Sequence, residues 1–372
     1  SDRDWSSDVC SSDLAAKSII AEYYGRAADH SYFVGCSRGG GQAMMESQRY
    51  PDDFDGIVAA APAYNWTAFT AGFLQAQQAM FPNGGSDDPV VREETLELLG
   101  SSILSACDAE DGVTDGVMTD PRRCSFSPSD LPMCSDDVAG DGCVTRQEMA
   151  AIEAVYNGPT VDGESIFFGF NYGGESDRGG WDSWVVSSER QRARGNPNAQ
   201  YGFGTEFYKY FVFEDPAWDY TTYDFSTWRE DVARISPVVD ATETDLSVFR
   251  DSGGKIIYWT GWSDLALTPL GTIDYYEQLE VVDSAARDYA RLYMLPGVLH
   301  CSGGPGPDQV DWVEAIRAWV EDGDAPERLT ASKLDSSGQT TLTRPVCPYP
   351  QLAVYDGIGD PKLESSFSCA VW

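Results

Sequence analysis

Lysine and histidine are scarce in this chain of 372 residues, which contains five lysines and two histidines. Its 60 Asp and Glu residues outnumber its 25 Lys and Arg residues, and the formal net charge is −35. A surface this acidic repels phosphate backbones and anionic lipid headgroups. The composition therefore argues against nucleic-acid binding and against attachment to an anionic membrane.

Long apolar runs are missing as well. No stretch approaches the roughly 20 consecutive apolar residues that a membrane-spanning helix requires, and the sequence contains no recognisable secretory signal peptide. A membrane-embedded protein is therefore not expected. With 372 residues, the chain is long enough to bury a large core and to form more than one domain.

The most informative stretch is a strand, a tight turn and a helix between residues 32 and 46. Residues 32–34 favour a strand and lead into the Gly-Cys-Ser-Arg-Gly pentapeptide of residues 35–39. Gly-x-Ser-x-Gly between a strand and a helix is typical of a nucleophile elbow, which holds its serine exposed on a strained turn. The alternative is a glycine-rich turn with an incidental serine. The setting favours Ser37 as a nucleophile, with the positive end of a helix available to an oxyanion.

A hydroxyl nucleophile needs a base, and the two histidines differ in their surroundings. His30 lies in a polar turn before the elbow strand, which is typical of a surface histidine. His300 follows an apolar strand and a turn, and Asp264 follows the apolar strand that begins at Lys255. The order Ser37, Asp264, His300 is that of α/β-hydrolases, whose sites form at the carboxyl ends of parallel strands.

Cys36 lies next to Ser37, and Cys301 lies next to His300. With this paired Cys-Ser and His-Cys arrangement, the sequence from about Ala15 to its end resembles the tannase and feruloyl esterase family. The resemblance implies an α/β-hydrolase fold of the α/β class, truncated at its N-terminus and carrying a large inserted lid domain. It also implies a serine carboxylic-ester hydrolase.

The family resemblance assigns a role to each proposed catalytic residue. His300 would accept the proton of Ser37, and Asp264 would hold the imidazole in the required tautomer while an acyl-enzyme forms. The backbone N–H of Arg38 would be one oxyanion donor. The second donor normally comes from an earlier loop, which we expect to lie upstream of this sequence.

The cysteines fit the same family. Of nine cysteines, eight remain when Cys10 is set aside, and eight cysteines alone permit roughly a hundred pairings. Disulfides at this density indicate an oxidising compartment, so we predict a secreted or periplasmic protein. The pairs implied by the resemblance are Cys36–Cys301, Cys107–Cys124, Cys134–Cys143 and Cys347–Cys369.

The first residues of the chain do not read as natural protein. Residues 3–14 resemble a translated sequencing-library adapter, so residues 1–14 are predicted to be a non-native segment. The alternative is a natural disordered N-terminus. We expect the family's signal peptide and first sheet strands to lie upstream, and a helix over residues 15–24 to pack behind the elbow strand.

The domain organisation follows from where the strand–helix alternation stops and resumes. We predict the α/β-hydrolase catalytic domain over residues 15–67 and 243–372, and the lid domain over residues 68–242. The intervening part is rich in aromatic residues, glycine and short polar loops. Aromatic residues suit a lid that grips an apolar acyl group, although most of them are expected to form the lid's own core.

An acidic loop within the predicted lid is a candidate metal site. Carboxylates and glycines alternate after Cys107, and oxygen-rich loops of this kind suit hard cations such as Ca²⁺. The alternative is a solvated acidic turn, and the spacing is not that of an EF-hand. The stretch resembles the calcium loop of the family. This implies a structural Ca²⁺ bound by the carboxylates of Asp108, Asp111 and Asp115 and the carbonyls of Val113 and Val117.

The resemblance also implies substrate contacts from Trp184, Phe203 and Leu267. The first prediction is an aromatic ester of the feruloyl or galloyl type, either a small molecule or linked to a plant polymer. A second is a terephthalate monoester, since a hydrolase of such esters belongs to the same family. That enzyme holds the free carboxylate with a lid arginine, and the aligned position here is Ala199.

Other positions also bear on the terephthalate-monoester alternative. Leu267 stands where the terephthalate-monoester hydrolase has a phenylalanine, which favours the broader family activity. Arg192 or Arg194 could replace the lid arginine, so the alternative stays open. A rival of another class is an inactive, calcium-stabilised binding protein.

Overall fold

The computed structural model of the chain describes residues 6–85, 88–187 and 197–371, with side chains from Asp13 onward. The strands in chain order are β1 (Tyr32–Cys36), β2 (Gly56–Ala60), β3 (Thr160–Val161), β4 (Glu164–Ser165), β5 (Lys255–Gly261), β6 (Ala290–Leu295), β7 (Leu329–Leu334), β8 (Thr340–Val346), β9 (Leu352–Tyr355) and β10 (Phe367–Ala370). The α-helices are α1 (Ser6–Tyr24), α2 (Arg38–Arg49), α3 (Trp66–Met80), α4 (Glu93–Cys107), α5 (Arg146–Asn157), α6 (Trp181–Trp184), α7 (Trp228–Val232), α8 (Ser236–Val239), α9 (Ser247–Asp251), α10 (Pro269–Val282) and α11 (Trp312–Glu321).

One parallel sheet, in the order β1-β2-β5-β6, organises the fold. Cys36 pairs with Ala60, and Ala60 pairs with Trp259, so the strands end close together at one edge. All of β2 is buried, as its run of small apolar residues allows. The predicted α/β class is confirmed.

Helices cover both faces of this sheet. Around Met44, Ile57 and Tyr276, α2 and α10 pack over one face. Around Val58 and Ile316, α11 packs over the other. Consecutive residues of β2 therefore enter opposite cores, as the alternation of side chains along a strand requires. With both faces covered, the carboxyl edge of the sheet remains available for a site.

Helix α1 differs from the sequence-based expectation. It begins at Ser6, well before residue 15, and its described side chains, from Asp13 onward, lie in neither of the two apolar cores that cover the sheet. The side chains of Ile19 and Tyr23 are 67% and 80% exposed. A contact with the body of the protein is made by Lys17, whose ammonium lies 4.9 Å from the ring centroid of Phe54.

The residues between β2 and β5 form cores of their own. Helices α3, α4 and α5 pack into one apolar cluster around Leu99, Ile103 and Ile152, and another cluster surrounds Tyr208. Trp181, Phe207 and Tyr208 are buried in these clusters, as expected for the core of a lid. The boundaries of the lid domain stay a prediction.

The C-terminal part of the chain adds two antiparallel pairs, β7 with β8 and β9 with β10. The disulfide Cys347–Cys369 joins the residue after β8 to β10. Across the described ranges, every helix falls short of the length and apolar character needed to cross a membrane.

Candidate active site

Ser37 occupies a strained turn between β1 and α2. Its φ of 64° and ψ of −119° lie outside the helical region, and a non-glycine residue at positive φ is disfavoured by about 1 kcal/mol or more. The turn is held on both sides, because the Ser37 amide donates to the Ala60 carbonyl at 3.0 Å and the Ser37 carbonyl accepts from Gly41 and Ala63. The geometry is that of a nucleophile elbow.

Glycines allow this turn to approach its neighbours. A Cβ on Gly35 would lie 2.4 Å from the carbonyl oxygen of Gly39. A Cβ on Gly40 would lie 2.2 Å from the Ala60 carbonyl, and one on Gly41 would lie 2.1 Å from the Ala63 carbonyl. The start of α2 therefore packs directly on the end of β2 as well as on β1, which larger residues would prevent.

Asp264 and His300 are joined by a hydrogen bond of 2.9 Å between Oδ2 and Nδ1. The Asp264 side chain is fully buried, and its Oδ1 accepts from the amides of Ala266 and Leu267 at 2.8 and 2.9 Å. In the described part of the chain, the buried Nε2 of His300 has no hydrogen-bond partner. The imidazole is thus oriented by a carboxylate on one side and free to accept a proton on the other.

The electrostatics of His300 reflect two opposed effects. Burial alone would lower its pKa, but the charge of Asp264 and the hydrogen bond to it raise the pKa above the ordinary value of 6.5. The imidazolium is therefore favoured once a proton has been taken up, which suits a general base that must hold the proton of a nucleophile.

The loops that carry these residues are tied together. The amide of Trp262 donates to the Leu295 carbonyl at 2.9 Å, and the amide of Ser263 donates to Val298 at 3.1 Å. The disulfide Cys36–Cys301 joins the neighbour of Ser37 to the neighbour of His300, with Cα atoms 6.0 Å apart across 265 residues of sequence. Distant parts of the chain are thereby held at one edge of the sheet.

The described structure contains the four disulfides that the family resemblance implies. His30, by contrast, lies away from this cluster. Its side chain is 40% exposed, and its nearest charged partner is Asp55 at 3.9 Å. Its surroundings are those expected of a surface histidine.

The residues predicted to contact substrate gather beside His300. The Trp184 ring meets the His300 ring edge to face at 5.2 Å, and Phe203 stacks on Trp184 at 6.2 Å. Leu267 belongs to an apolar cluster that Trp184 also contacts. Ala199 is partly buried, whereas Arg192 and Arg194 lie outside the described residues.

The sequence model of the family called tannase and feruloyl esterase matches residues 8–370. The chain belongs to this family. The match covers both halves of the sheet and all of the residues between them.

Individual members of the family are close in sequence. The mono(2-hydroxyethyl) terephthalate hydrolase of Piscinibacter sakaiensis is 35% identical over 407 residues, covering 96% of this chain and 66% of that protein. A probable feruloyl esterase of Arthroderma benhamiae is 32% identical over 378 residues, again covering 96% and 66%. The chain thus spans about two thirds of the length of these curated relatives.

A solved structure supports the fold. The crystal structure of an esterase from Aspergillus oryzae superposes with a TM-score of 0.85 and 25% identity, covering 98% of this chain and 73% of that one. This member of the tannase and feruloyl esterase family therefore has the α/β fold of a known esterase.

The acidic loop that the family resemblance assigned to calcium begins directly after α4, within the segment that the disulfide Cys107–Cys124 closes. Asp108, Asp111 and Asp115 each accept hydrogen bonds from backbone amides of the loop. A cavity of about 10 Å³ beside the loop is lined by Asp111, but also by Met118 and Arg123, and the other four predicted ligands do not line it. The cavity is therefore no evidence for the ion. The donors are all oxygen, as a hard cation prefers.

The charges in this loop are only partly compensated. Burial raises the pKa of Asp111 and Asp115, and the neighbouring carboxylates raise them further. Arg344 contacts Asp115 at 2.6 Å and supplies one positive charge. In the ranges that the structure describes, no group of three metal-ligating side chains comes together, so carbonyl oxygens would have to complete a shell. The donor chemistry fits Ca²⁺ on that condition.

The acidic loop also lies closer to the candidate catalytic residues than its sequence position suggests. A side chain on Gly297 would meet Val117 at 3.1 Å, and Gly297 lies three residues before His300. The loop therefore contacts the segment that leads to His300.

Glu175 is a residue near the site that sequence reasoning missed. Its buried carboxylate accepts from the Tyr156 hydroxyl at 2.8 Å and from the Gly173 amide. A side chain on Gly174 would meet Leu299 at 2.8 Å, so this turn packs on the loop of His300. Burial raises the pKa of Glu175 to about 6, against the effect of its hydrogen bonds. A single glutamate among glycines matches no motif, so the sequence offered no signal for it.

Proposed function

We propose that this chain is a serine carboxylic-ester hydrolase. The observation that carries the proposal is the imidazole of His300, which is hydrogen-bonded to buried Asp264 through Nδ1 and, among the described residues, has no partner at Nε2. The disulfide Cys36–Cys301 ties it to the elbow of Ser37. A binding protein without catalytic activity would have no need of a buried, unpaired base beside a strained serine, which disfavours the rival of another class.

The reaction follows from this arrangement. His300 takes the proton of Ser37 as the hydroxyl attacks the ester carbonyl, and the imidazolium then protonates the leaving alcohol. Water then attacks the acyl-enzyme: His300 takes a proton from the water and returns it to Ser37 as the acid is released. Arg38 is the first residue of α2, so its amide has no partner in an earlier helical turn and can donate to the oxyanion.

The substrate proposed first is an aromatic ester of the feruloyl or galloyl type. The support is the aromatic surface of Trp184 and Phe203 beside His300, together with relatives named as feruloyl esterases. Because Phe203 is 49% exposed, its ring is available to an acyl group. The direct test is release of ferulate from methyl ferulate, followed by chromatography. Failure to hydrolyse any aromatic ester would contradict the proposal.

The proposed location is the periplasm or the exterior of the cell. The support is the set of four disulfides, because such bonds persist in oxidising compartments.

The rate of hydrolysis is expected to fall on the acid side with a midpoint above pH 6.5. Only neutral imidazole can accept the serine proton, and the pKa of His300 is raised above 6.5; protonation therefore removes activity as the pH falls through that raised value. Asp264→Asn should move the midpoint down, since the charge that stabilises the imidazolium is lost. The measurement is kcat/KM for methyl ferulate between about pH 5 and 9.

His30→Ala provides the control for this pH profile, because His30 is the other histidine and lies on the surface. Its profile should superpose on that of the unmodified chain. A midpoint below 6.5, or a shift in the His30 variant, would show that His300 is not the group that titrates.

The acidic loop is proposed to hold a structural Ca²⁺ through Asp108, Asp111 and Asp115 and the carbonyls of Val113 and Val117. The support is the oxygen donors of the loop and the charge of the carboxylates, which Arg344 compensates only in part. Because the three side chains do not converge in the described structure, they would have to turn towards the ion as it binds. The ion would supply charge neutralisation and cross-linking of the loop, and it would take no part in the ester chemistry.

Chelation of calcium is expected to lower the Tm by several degrees. A ligand that binds only the folded state contributes about 2.7 kcal/mol when present at about a hundred times its Kd. Asp111→Ala should also lower the Tm and, in addition, abolish the response to EGTA. The measurements are thermal unfolding with and without EGTA, and metal content by mass spectrometry.

Asp141→Ala is the matched control for the calcium prediction, since Asp141 is an exposed aspartate in a different disulfide loop. This variant should keep the full response to EGTA. An unmodified chain that contains no calcium and melts at the same temperature with excess chelator would refute the site.

A further inference from the structure

Glu175 carries a buried carboxylate that the ester chemistry does not use. The residue is 3% exposed, and among the described residues no lysine or arginine forms an ion pair with it. Glu148, another buried glutamate, does have such a partner, because Arg92 contacts it at 2.8 Å. Burial of a carboxylate without a cation costs free energy. The hydrogen bonds of Glu175 are therefore the place to look for its role.

The carboxylate of Glu175 closes a turn formed by residues 173–175. Both of its oxygens accept from the Gly173 amide, at 2.8 and 3.0 Å, and one of them also accepts from the Tyr156 hydroxyl at 2.8 Å. Gly173 and Gly174 have φ angles of 113° and 87°, which residues with a side chain rarely adopt. The turn therefore owes its shape to two glycines, and one carboxylate holds that shape.

This turn touches both loops that carry the candidate catalytic pair. A Cβ on Gly173 would lie 2.9 Å from the Oγ of Ser263, and Ser263 directly precedes the candidate catalytic aspartate. A Cβ on Gly174 would lie 2.8 Å from the Cδ2 of Leu299, and Leu299 directly precedes the candidate base. A shift of the turn would therefore be felt by both loops.

On its other side, the turn is attached to the predicted lid. Tyr156 belongs to α5, and its ring packs on Tyr172 at 4.8 Å and on Trp181 at 5.7 Å. Ser176, the residue after the turn, packs on α4, because a Cβ on Gly100 would lie 2.5 Å from the Ser176 Oγ. The carboxylate thus connects the core of the predicted lid to the loops of the candidate catalytic pair.

We infer that Glu175 is a positioning residue for the proposed ester hydrolysis. Its carboxylate holds the 173–175 turn against the loops of Asp264 and His300, and this contact keeps the imidazole in position for Ser37. Glu175 itself does not touch the reacting atoms. The inference rests on the proposed function and adds the lid to the parts of the chain that determine the rate. A displacement of about 1 Å between reacting groups can lower a rate about a hundredfold, so a small movement of the turn is sufficient.

Glu175→Ala tests the inference in the whole chain, with methyl ferulate as the substrate at about pH 8. The carboxylate of the unmodified chain is ionised there, since burial raises the pKa of Glu175 only to about 6. The variant should lower kcat about tenfold or more and keep KM within about twofold, because the altered residue does not touch the substrate. Glu175→Gln should recover part of kcat, since its amide oxygen can still accept from the Gly173 amide. Rates are measured below the Tm of each variant.

Glu148→Ala is the matched control, because Glu148 is also a buried glutamate of the predicted lid. Its partners Arg92, Thr95 and Thr145 all lie within that lid. This variant should lower the Tm and keep a kcat close to that of the unmodified chain. An equal fall of kcat in the Glu148 and Glu175 variants would show that loss of lid stability alone lowers the rate, and it would overturn the inference. An unchanged kcat in Glu175→Ala would also overturn it.

Tyr156→Phe tests the same connection if Glu175→Ala does not fold. It removes one hydroxyl and keeps the ring that packs on Trp181. The variant should lower kcat, and its effect should be less than additive with that of Glu175→Gln, because both changes act through one turn. Additive effects, or an unchanged kcat in both single variants, would overturn the inference.

Labelling of Ser37 by an organophosphate ester separates the inference from the proposed function. The rate of labelling reports activation of the serine by the imidazole and does not depend on the choice of substrate. A chain that hydrolyses no aromatic ester, but is labelled more slowly in Glu175→Ala than in Glu148→Ala, would refute the proposed function and uphold the positioning role. Equal hydrolysis and equal labelling in the unmodified and Glu175→Ala chains would refute the positioning role and uphold the esterase.

Discussion

Replacement of Ser37 by alanine is expected to abolish hydrolysis of methyl ferulate. The hydroxyl forms the covalent bond of the acyl-enzyme, and loss of one member of a triad commonly lowers kcat by a factor on the order of 10⁴ or more. The same variant should resist labelling by an organophosphate ester, which phosphorylates an activated serine. Initial rates and the intact mass after labelling are the two measurements.

Ser47→Ala is the matched control for Ser37→Ala. Ser47 lies in α2, the same helix, where its hydroxyl donates to the Met44 carbonyl at 2.8 Å. Its loss removes one local hydrogen bond, worth about 1 kcal/mol of stability, and should leave the rate and the labelling intact. Residual activity of Ser37→Ala within about tenfold of the unmodified chain would contradict the assignment, as would a label on another residue.

Loss of the disulfide between Cys36 and Cys301 is expected to lower the rate about a hundredfold without abolishing secondary structure. The bond holds the residues next to Ser37 and His300 with Cα atoms 6.0 Å apart. A displacement of about 1 Å between reacting groups can lower a rate by about that factor. The double variant Cys36→Ala with Cys301→Ala tests this through kcat and far-ultraviolet circular dichroism, below the Tm of each variant.

The disulfide Cys134–Cys143 provides the comparison, because it closes a loop within the predicted lid. Its double alanine variant loses one disulfide of the same chemical kind and should keep a kcat close to that of the unmodified chain. If the Cys36 and Cys301 variant also hydrolyses ester at the original rate, the bond serves stability alone. The entropic effect of the Cys36–Cys301 bond on the unfolded chain, about 5 kcal/mol for so long a loop, would then be its whole role.

The strands that carry the candidate catalytic residues could be predicted, because short local sequence patterns indicate them. The turn of Ser37 needs glycine where β1 and α2 approach each other, and the Gly-x-Ser-x-Gly pentapeptide contains glycines at these positions. Asp264 and His300 each follow an apolar strand, and parallel strands end at the same edge of a sheet. Chain order and hydrophobic runs were therefore sufficient to nominate residues that lie far apart in sequence.

The behaviour of α1 and Glu175 could not be predicted, because both depend on contacts with distant residues. An apolar pattern at helical spacing indicates a helix, but it does not specify the surface against which the helix packs. Tyr23 of α1 is therefore exposed, against expectation. Glu175 lies near the site because its turn packs on Leu299, and no short sequence pattern indicates that contact.

By itself, the sequence determined the α/β class, the order of the proposed catalytic residues and, through family resemblance, the cysteine pairs. Strand propensity and turn chemistry depend on a few neighbouring residues, so they can be recognised from the sequence alone. Tertiary structure alone decided that, among the described residues, Nε2 of His300 has no hydrogen-bond partner and that the Trp184 ring packs against the His300 ring. Both features involve side chains from separate elements. Burial and ring contacts depend on how those elements pack, so no periodic sequence pattern predicts them.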